Sequence, residues 1–262
     1  MTECQPGAAG LPGMTDNHAD QTPADKTPDD AKTSDKRKRR RGSYARTLIP
    51  VVLVALLFRA FVAEAYMIPS ESMYPGLQVG DRIVATKLDY GLSVPFTTKK
   101  LTAPSSPTRG DIVTFIDPRD GETVLIKRVI AVGGDRVALR GGRVFVNGRA
   151  LPRAALTRSC HDIASTKARR YLPTPCRAFV EKSGAARYIV FDDPSADYAT
   201  MLEQRVPKGH LFMMGDNRPR SADSRVWGTV PLSHLRGRAR VILWSYLGVD
   251  GVRWKRFFSA LK

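Results

Sequence analysis

A single apolar run constrains the fold of this 262-residue chain more than any other feature. It extends from Leu48 to Met67, with Arg59 just past its centre. Because about 20 apolar residues in a helix cross the hydrocarbon core of a bilayer, residues 47–67 are predicted to form one transmembrane helix. Arg59 would then have to reach the interface or pair with a carboxylate, for which Glu64 is a candidate.

Two other structures suit the same run. Its unbroken part, 48–58, is short enough for a buried helix or a signal peptide, and "AEA" at 63–65 offers a small-residue cleavage site. The basic run "KRKRRRGSYAR" at 36–46 favours a retained anchor with a cytoplasmic N-terminus, although such a run could also bind nucleic acid. The chain is therefore predicted to be a single-pass protein of the cell membrane, extracytoplasmic after residue 68.

The charge of the chain is unevenly distributed. Residues 1–35 are rich in Asp, Thr, Pro, Ala and Gly. Together with the basic run that ends at residue 46, they are predicted to form a disordered cytoplasmic tail, 1–46. The rest carries 33 Lys and Arg against 18 Asp and Glu, so the positive charge belongs mainly to the folded part. Next to a membrane helix, this surface favours anionic lipids as partners and argues against nucleic acid.

Three cysteines are too few for a disulfide scaffold. Cys4 lies in the tail, whereas Cys160 and Cys176 lie in one polar stretch outside the predicted anchor. In an oxidising compartment these two could pair and close a loop, which would stabilise the fold by roughly 3 kcal/mol in the chain-entropy model. Two free thiols are the alternative.

The sequence from 68 to 262 indicates β-structure. Short runs such as "DRIVATKL", "GDIVTFIDP" and "ETVLIKRVIAVGGDRVAL" are rich in Val and Ile and end at Gly, Pro or Asp. Since strands do not alternate with helical patterns, the prediction is a mainly β, antiparallel catalytic domain. Residues of about 150–205 have weaker strand signals and are predicted to form an inserted subdomain.

The stretch "PSESMYPGL" at 69–77 follows the apolar run directly. In an extended segment Ser70 and Ser72 would lie on one face, with Glu71 on the other. Two such hydroxyls could serve as nucleophile and oxyanion donor toward one carbonyl. A polar linker at a membrane exit is the alternative, and the motif alone does not exclude it.

A serine nucleophile needs a base, and none of the four histidines lies in a recognisable triad context. Lys127, in "ETVLIKRVIAV", would share a strand face with Leu125 and Val129. An amine among apolar side chains loses hydration of its charged form, so its pKa falls and it can act as a base. A surface lysine is the alternative.

A polar cluster follows the apolar run "HLFMM" in the segment 209–231. Asp and Arg two or three positions apart can form paired hydrogen bonds that brace a loop, and a serine there could orient an amine. A solvated hairpin is the alternative. The cluster contains Asp216, Arg218, Ser221, Asp223 and Arg225. No metal-binding motif accompanies it, so neither a metal nor a cofactor is predicted.

Together these segments resemble the bacterial type I signal peptidases, membrane-anchored Ser/Lys endopeptidases. The matching blocks are "IPSESMYPGL" (68–77), "RGDIVTF" (109–115), "LIKRVIAVGGD" (125–135) and "MMGDNRPRSADSRVWG" (213–228), in this order. Gly76 departs from the threonine often found in the first block. The resemblance implies an all-β catalytic domain that cleaves signal peptides from exported preproteins, with secretion machinery nearby.

The resemblance also implies roles for individual residues. Ser72 matches the nucleophile and Lys127 the general base. The Ser72 N–H and the Ser70 hydroxyl match the oxyanion hole, and Ser221 matches the serine that orients the lysine. Structural support is implied for Asp216, Arg218, Asp223 and Arg225. Substrate pockets that accept Ala-x-Ala-like sites are implied at Ile68 and Ile126.

Two other functions fit parts of this pattern. The same dyad occurs in self-cleaving, repressor-like proteases, although no helix-turn-helix pattern is present here. A membrane-tethered β-domain without catalytic activity could also use the basic surface to bind partners. Covalent labelling of Ser72 by a serine-directed reagent would separate an enzyme from such a binding domain.

Overall fold

The structure is a computed structural model that describes residues 46–57, 59–91, 102, 105–157, 160–163, 171–174, 176–193, 200–248 and 251–261. Nearly all of the predicted tail, 1–46, lies outside these ranges, as do the side chains of 158–175. The described residues from Leu53 onward belong to one compact unit.

The predicted membrane segment is only partly helical. Residues 46–57 and 59–61 are helical. Ala63–Met67, predicted as the end of the helix, is instead a strand, because its backbone pairs with that of Asp81–Thr86. Among the described residues, no helix combines the length and the apolar character that a membrane crossing requires.

The carboxylate suggested as a partner for Arg59 is used elsewhere. Glu64 forms an ion pair of 3.0 Å with Lys87. The same Lys87 ammonium donates to the carbonyl of Arg59 at 3.1 Å. Lys87 therefore joins the end of the helical segment to the first strand.

Eighteen strands are present in the described part of the chain. In chain order, β1 to β18 are Ala63–Met67, Asp81–Thr86, Ile112–Ile116, Val124–Val132, Arg136–Arg140, Arg143–Val146, Arg149–Ala150, Arg153–Leu156, Cys160–Ile163, Tyr171–Thr174, Arg177–Ser183, Ala186–Asp192, Met201–Arg205, His210–Met214, Val230–Pro231, Leu235–Leu247, Gly251–Val252 and Ser259–Ala260. Short helical turns lie at Leu88–Tyr90, Ser224–Trp227, Leu232–His234 and Trp254–Arg256.

The strands form one large sheet and three smaller ones. The large sheet has the order β1-β2-β16-β3-β4-β14-β15, and β17 and β18 also pair with β16. The smaller sheets have the orders β13-β5-β6-β7, β12-β11-β8 and β10-β9. All pairings between these strands are antiparallel, which confirms the mainly antiparallel β class.

The segment of about 150–205 contains more strand than its sequence suggested. Three of its strands, β8, β11 and β12, form a sheet of their own. Its last strand, β13, instead pairs with β5. The end of this segment is therefore integrated with the preceding part of the fold, and its status as an inserted subdomain stays a prediction.

The burial of the strands follows their place in the sheets. In β2, Asp81, Ile83 and Ala85 are buried while Arg82 is exposed, which is the alternation expected of a strand with one covered face. Every residue of β3, which lies between β16 and β4 inside the large sheet, is buried. A cluster of apolar side chains that includes Ile83 and Ile112 lies under the segment that carries the two serines.

Candidate active site

The loop between β1 and β2, which we call the serine loop (68–80), is closed at its base by backbone hydrogen bonds. Ile68 donates to the carbonyl of Asp81 and Gly80 donates to that of Ile68, each at 2.9 Å. Met73 and Leu77 have no exposed surface and attach the loop to the apolar cluster below it. Burial of these side chains holds the rest of the loop in place.

The two serines lie in a turn and not in an extended segment. The N–H of Tyr74 donates to the carbonyl of Glu71 at 2.8 Å, and that of Leu77 to Met73 at 2.9 Å. The two hydroxyls nevertheless face each other, with 3.4 Å between the Oγ atoms of Ser70 and Ser72. The predicted proximity is therefore present, but the curvature of the turn produces it rather than the alternation of a strand.

Ser72 is buried and its backbone is held from a second element. Its side chain and backbone together are only 6% exposed. The N–H of Asn217, in the loop after β14, donates to the Ser72 carbonyl at 3.1 Å. In the part of the chain that the structure describes, the N–H of Ser72 has no hydrogen-bond partner, so it remains available to a ligand.

Strand β4 places Lys127 against Ser72. The Nζ atom of Lys127 donates to the Oγ atom of Ser72 at 2.5 Å. Lys127 is 4% exposed and lies opposite Val113 of β3. Burial lowers the pKa of Lys127 from 10.5 to about 8, although the negative charge of Asp223 partly opposes this shift. A minor fraction of the amine, about a tenth at pH 7, is then neutral and able to accept a proton, and this fraction grows as the pH rises toward 8.

Gly215 lies where the neighbouring atoms leave no room for a side chain. A Cβ atom there would lie 2.3 Å from the Ser72 carbonyl oxygen and 2.4 Å from the Oγ atom of Ser221. Its N–H donates to the carboxylate of Asp223 at 3.0 Å. Because glycine lacks a side chain, the loop after β14 can approach the serine loop this closely.

The predicted brace between Asp223 and Arg225 is present. The Arg225 guanidinium donates twice to the Asp223 carboxylate, at 2.8 Å each, and also reaches the carbonyls of Arg218 and Ser221. Asp223 caps the helical turn Ser224–Trp227. Burial alone would raise the pKa of Asp223, but the hydrogen bonds and charge of Arg225 hold that pKa below its ordinary value.

Asp216 and Arg218, which have the same spacing, do not pair with each other. The Asp216 carboxylate accepts two hydrogen bonds of 2.7 Å from Arg128, whose guanidinium also lies 3.8 Å from the ring centroid of Tyr188. Arg218 pairs with Glu181 of β11 at 2.5 Å. Both pairs are buried, and each joins the loop after β14 to another sheet element.

Sequence reasoning missed these two partners. The sequence could have indicated the partner of Arg128. In a strand its side chain points away from that of Lys127 and shares a face with Ile126 and Ile130. A guanidinium on an apolar face requires a buried carboxylate. Glu181 had no local signal, because 37 positions separate it from Arg218.

The roles predicted for Ser221, Ile68 and Ile126 stay predictions. The Ser221 hydroxyl donates to the Ala222 carbonyl at 3.4 Å, and its part in orienting Lys127 stays a prediction. Ile68 is buried and Ile126 half-buried, and both contact the same apolar cluster. The cluster borders the serine loop, where substrate pockets were expected.

The predicted disulfide is only partly described. Cys176 is disulfide-bonded. The side chain of Cys160 lies outside the described side chains, so the pairing of these two residues stays a prediction. Among the described residues, no group of three or more His, Cys, Asp and Glu side chains is arranged to hold a metal ion.

Comparisons with known proteins indicate the family of the chain. Residues 41–244 match the family model described as "Signal peptidase, peptidase S26". Proteins named signal peptidase I are similar in Pseudomonas fluorescens (34% identity, 78% of this chain and 72% of the relative) and Pseudomonas aeruginosa (32%, 78% and 72%). The relative of that name in Aquifex aeolicus is 31% identical over 76% of this chain and 82% of its own.

The match to the family model covers most of the chain. The identity exceeds 30% in each of these three relatives. The chain therefore belongs to the S26 signal peptidase family and is a peptidase.

Proposed function

We propose that the protein is a serine endopeptidase that removes signal peptides from exported preproteins, with Ser72 as nucleophile and Lys127 as general base. The observation that carries this proposal is the 2.5 Å hydrogen bond between a buried, pKa-lowered amine and a buried hydroxyl. A serine hydroxyl is a weak nucleophile unless an adjacent base accepts its proton.

The reaction then follows from the positions of the atoms. The Oγ atom of Ser72 attacks the scissile carbonyl carbon while its proton moves to Nζ of Lys127. The oxyanion that forms accepts hydrogen bonds from the Ser72 N–H and the Ser70 hydroxyl. Cleavage of the C–N bond returns the proton to the leaving amine. Water then hydrolyses the Ser72 ester, with Lys127 again accepting a proton and returning it to Oγ.

Supporting residues keep the dyad in this geometry. Ser221 orients the Lys127 amine; its Oγ atom and the Ser72 carbonyl both border Gly215, which supports this role. Asp216, Arg218, Asp223 and Arg225 brace the loop behind it through the ion pairs described above. Substrate side chains enter beside Ile68 and Ile126, where shallow apolar pockets favour cleavage after Ala-x-Ala-like sequences.

The proposed location is the outer face of the cell membrane. The apolar run of residues 47–67 would attach the chain, and the basic surface would contact anionic lipids near the secretion machinery. A signal peptide leaves its cleavage site at the membrane surface, close to where a serine loop directly after the apolar run would lie.

The direct test is cleavage of a preprotein with an Ala-x-Ala site by the full-length protein in lipid vesicles, with the new N-terminus sequenced. Wild type should cut after the site, Ser72→Ala should not, and Ser70→Ala should cut slowly. Ser183→Ala is a matched control, since Ser183 is also buried and its hydroxyl has no partner in the described part of the chain. Equal cutting by wild type and Ser72→Ala would contradict the proposal.

A further inference from the structure

The segment Arg253–Leu261 lies against the base of the serine loop. Arg256, in this segment, donates from Nη2 to the Gly76 carbonyl at 2.9 Å. The same guanidinium donates to both carboxylate oxygens of Asp81, at 3.0 and 2.5 Å. One guanidinium group therefore joins the loop backbone to the first residue of β2. Its planar arrangement of several N–H donors allows it to bond to both.

A second arginine reinforces this contact. Arg253 donates to the side chain of Gln78 at 2.8 Å and to the carbonyl of Val79 at 2.5 Å. Gln78 in turn donates from its N–H to Asp81 at 2.7 Å. Four residues of 76–81 are thus held by two guanidinium groups from the same short segment.

Asp81 makes the arrangement costly to disturb. Its carboxylate has no exposed surface and also accepts a 2.6 Å hydrogen bond from Ser245 of β16. Arg253 also lies within ion-pair distance of this carboxylate, at 3.6 Å. Arg256, unlike Arg253, donates hydrogen bonds to it, so Arg256 is the main counterion of a charge that is costly to bury alone.

The opposite side of the loop meets the candidate active site. A Cβ atom on Gly76 would lie 3.2 Å from a carboxylate oxygen of Asp216, so Gly76 lies between Asp216 and Arg256. Leu77 donates to the carbonyl of Met73, the residue next to Ser72, at 2.9 Å. A shift of Gly76 and Leu77 would therefore move the backbone that carries the Ser72 hydroxyl.

We propose that Arg256 is a positioning residue, which sets the distance between Ser72 and Lys127 by holding Gly76 against Asp216. The inference rests on the proposed function, because it assigns Arg256 a part in the same reaction. Arg256 contacts neither Ser72 nor Lys127 and acts through the loop backbone alone. Small displacements of a nucleophile reduce the rate of the chemical step far more than they reduce substrate binding.

The test compares Arg256→Gln with Arg240→Gln in the full-length protein. Arg240 is a matched control, since it also pairs with one aspartate, Asp89, but contacts no residue of the serine loop. Arg256→Gln should lower kcat roughly tenfold with KM nearly unchanged. The midpoint of its pH profile should stay at the wild-type value, because the burial and the charged neighbours that set the pKa of Lys127 are unchanged. Arg240→Gln should retain the wild-type kcat.

Arg256→Lys separates positioning from the stability that the ion pair supplies. A lysine keeps the charge beside Asp81 but cannot bridge to Gly76 in the same geometry. We expect a thermal unfolding midpoint close to wild type together with a reduced kcat. A wild-type kcat in either Arg256 variant, measured on folded protein, would overturn the positioning role. If wild type itself failed to cleave the preprotein, the proposed function would fail instead.

Discussion

The Nζ atom of Lys127 lies 2.5 Å from the Oγ atom of Ser72, and both residues are buried. The two groups come from different kinds of element, since β4 holds the lysine while a turn holds the serine. The strand is fixed by pairing on both sides, with β3 and β14. The serine is fixed through its carbonyl by the N–H of Asn217. The short distance is therefore set by the fold and does not need a substrate.

Replacing Lys127 by methionine should abolish most of the peptidase activity. The methionine side chain is similar in length to that of lysine and suits a buried position, but it has no amine to accept the proton of Ser72. Loss of a general base costs about 10²- to 10⁴-fold in rate, so kcat/KM should fall by at least about a hundredfold. Lys182→Met, at an exposed position on β11, should leave kcat/KM unchanged. Comparable activity in the two variants would show that another group acts as the base.

The activity of the wild type should rise with pH. Because burial lowers the pKa of Lys127 to about 8, the amine is mainly protonated below that value and mainly neutral above it. Only the neutral form can accept the serine proton, so the acidic limb of the kcat/KM profile should have a midpoint near pH 8. A midpoint close to 10.5, the ordinary value for lysine, would contradict the burial of the amine.

The same burial should make Lys127 a destabilising residue. Below about pH 8 both the folded and the unfolded state carry the protonated amine, and the folded state bears the cost of a buried charge. Between pH 8 and 10.5 folding releases a proton, so the penalty declines, and above 10.5 it is gone. At pH 7, Lys127→Met should raise the free energy of unfolding by roughly 3 kcal/mol in denaturant titrations. A gain that does not shrink as the pH rises would count against this explanation.

Much of the site could be predicted because its groups are marked locally. Ser70 and Ser72 are two positions apart, Lys127 lies in an apolar strand, and Asp223 and Arg225 pair over the same short distance. The end of the predicted helix was harder to place from the sequence, because Ala63–Met67 has the composition of a membrane helix but pairs with β2 as a strand. Its strand structure depends on partners 15 to 23 residues away, which no local pattern reveals.

The long-range partners were beyond local reasoning for the same reason. Asp216 has an arginine two positions away, but its carboxylate bonds to Arg128, which is 88 positions distant. The spacing that correctly indicated Asp223 with Arg225 was therefore misleading for Asp216 with Arg218. Arg256, 180 positions from Gly76, shows the same limit, because its segment lacks any sequence motif that points to the serine loop.

Breaking the buried pair of Arg128 and Asp216 should destabilise the fold strongly. Asp216→Asn removes the negative charge and leaves the Arg128 guanidinium buried without a counterion, which typically costs about 3–5 kcal/mol. Glu203→Gln, which breaks the pair with Arg136, is the control, since its partners are 36% and 68% exposed. That loss should stay below about 1 kcal/mol. Equal losses in equilibrium unfolding would show that burial does not govern the Asp216 pair.

Gly215→Ala should impair both stability and activity. The new Cβ atom would meet the Ser72 carbonyl at 2.3 Å, so the backbone of the nucleophile must move. Overpacking of this kind costs about 1–3 kcal/mol. Gly121→Ala is the comparison, because nothing lies within 4 Å of its Cβ position and only its positive φ of 73° opposes the change. If Gly215→Ala retained wild-type kcat, the close approach at Ser72 would be irrelevant to catalysis.

Covalent labelling tests the dyad most directly. The full-length protein is treated at pH 8 with a serine-directed acylating or phosphonylating reagent, and the modified residue is identified by peptide mapping. Wild type should carry a single adduct on Ser72, and Lys127→Met should label at least about a hundredfold more slowly, because the hydroxyl has lost its base. An adduct on another serine, or equal labelling rates in the two proteins, would contradict the assignment of Ser72 and Lys127.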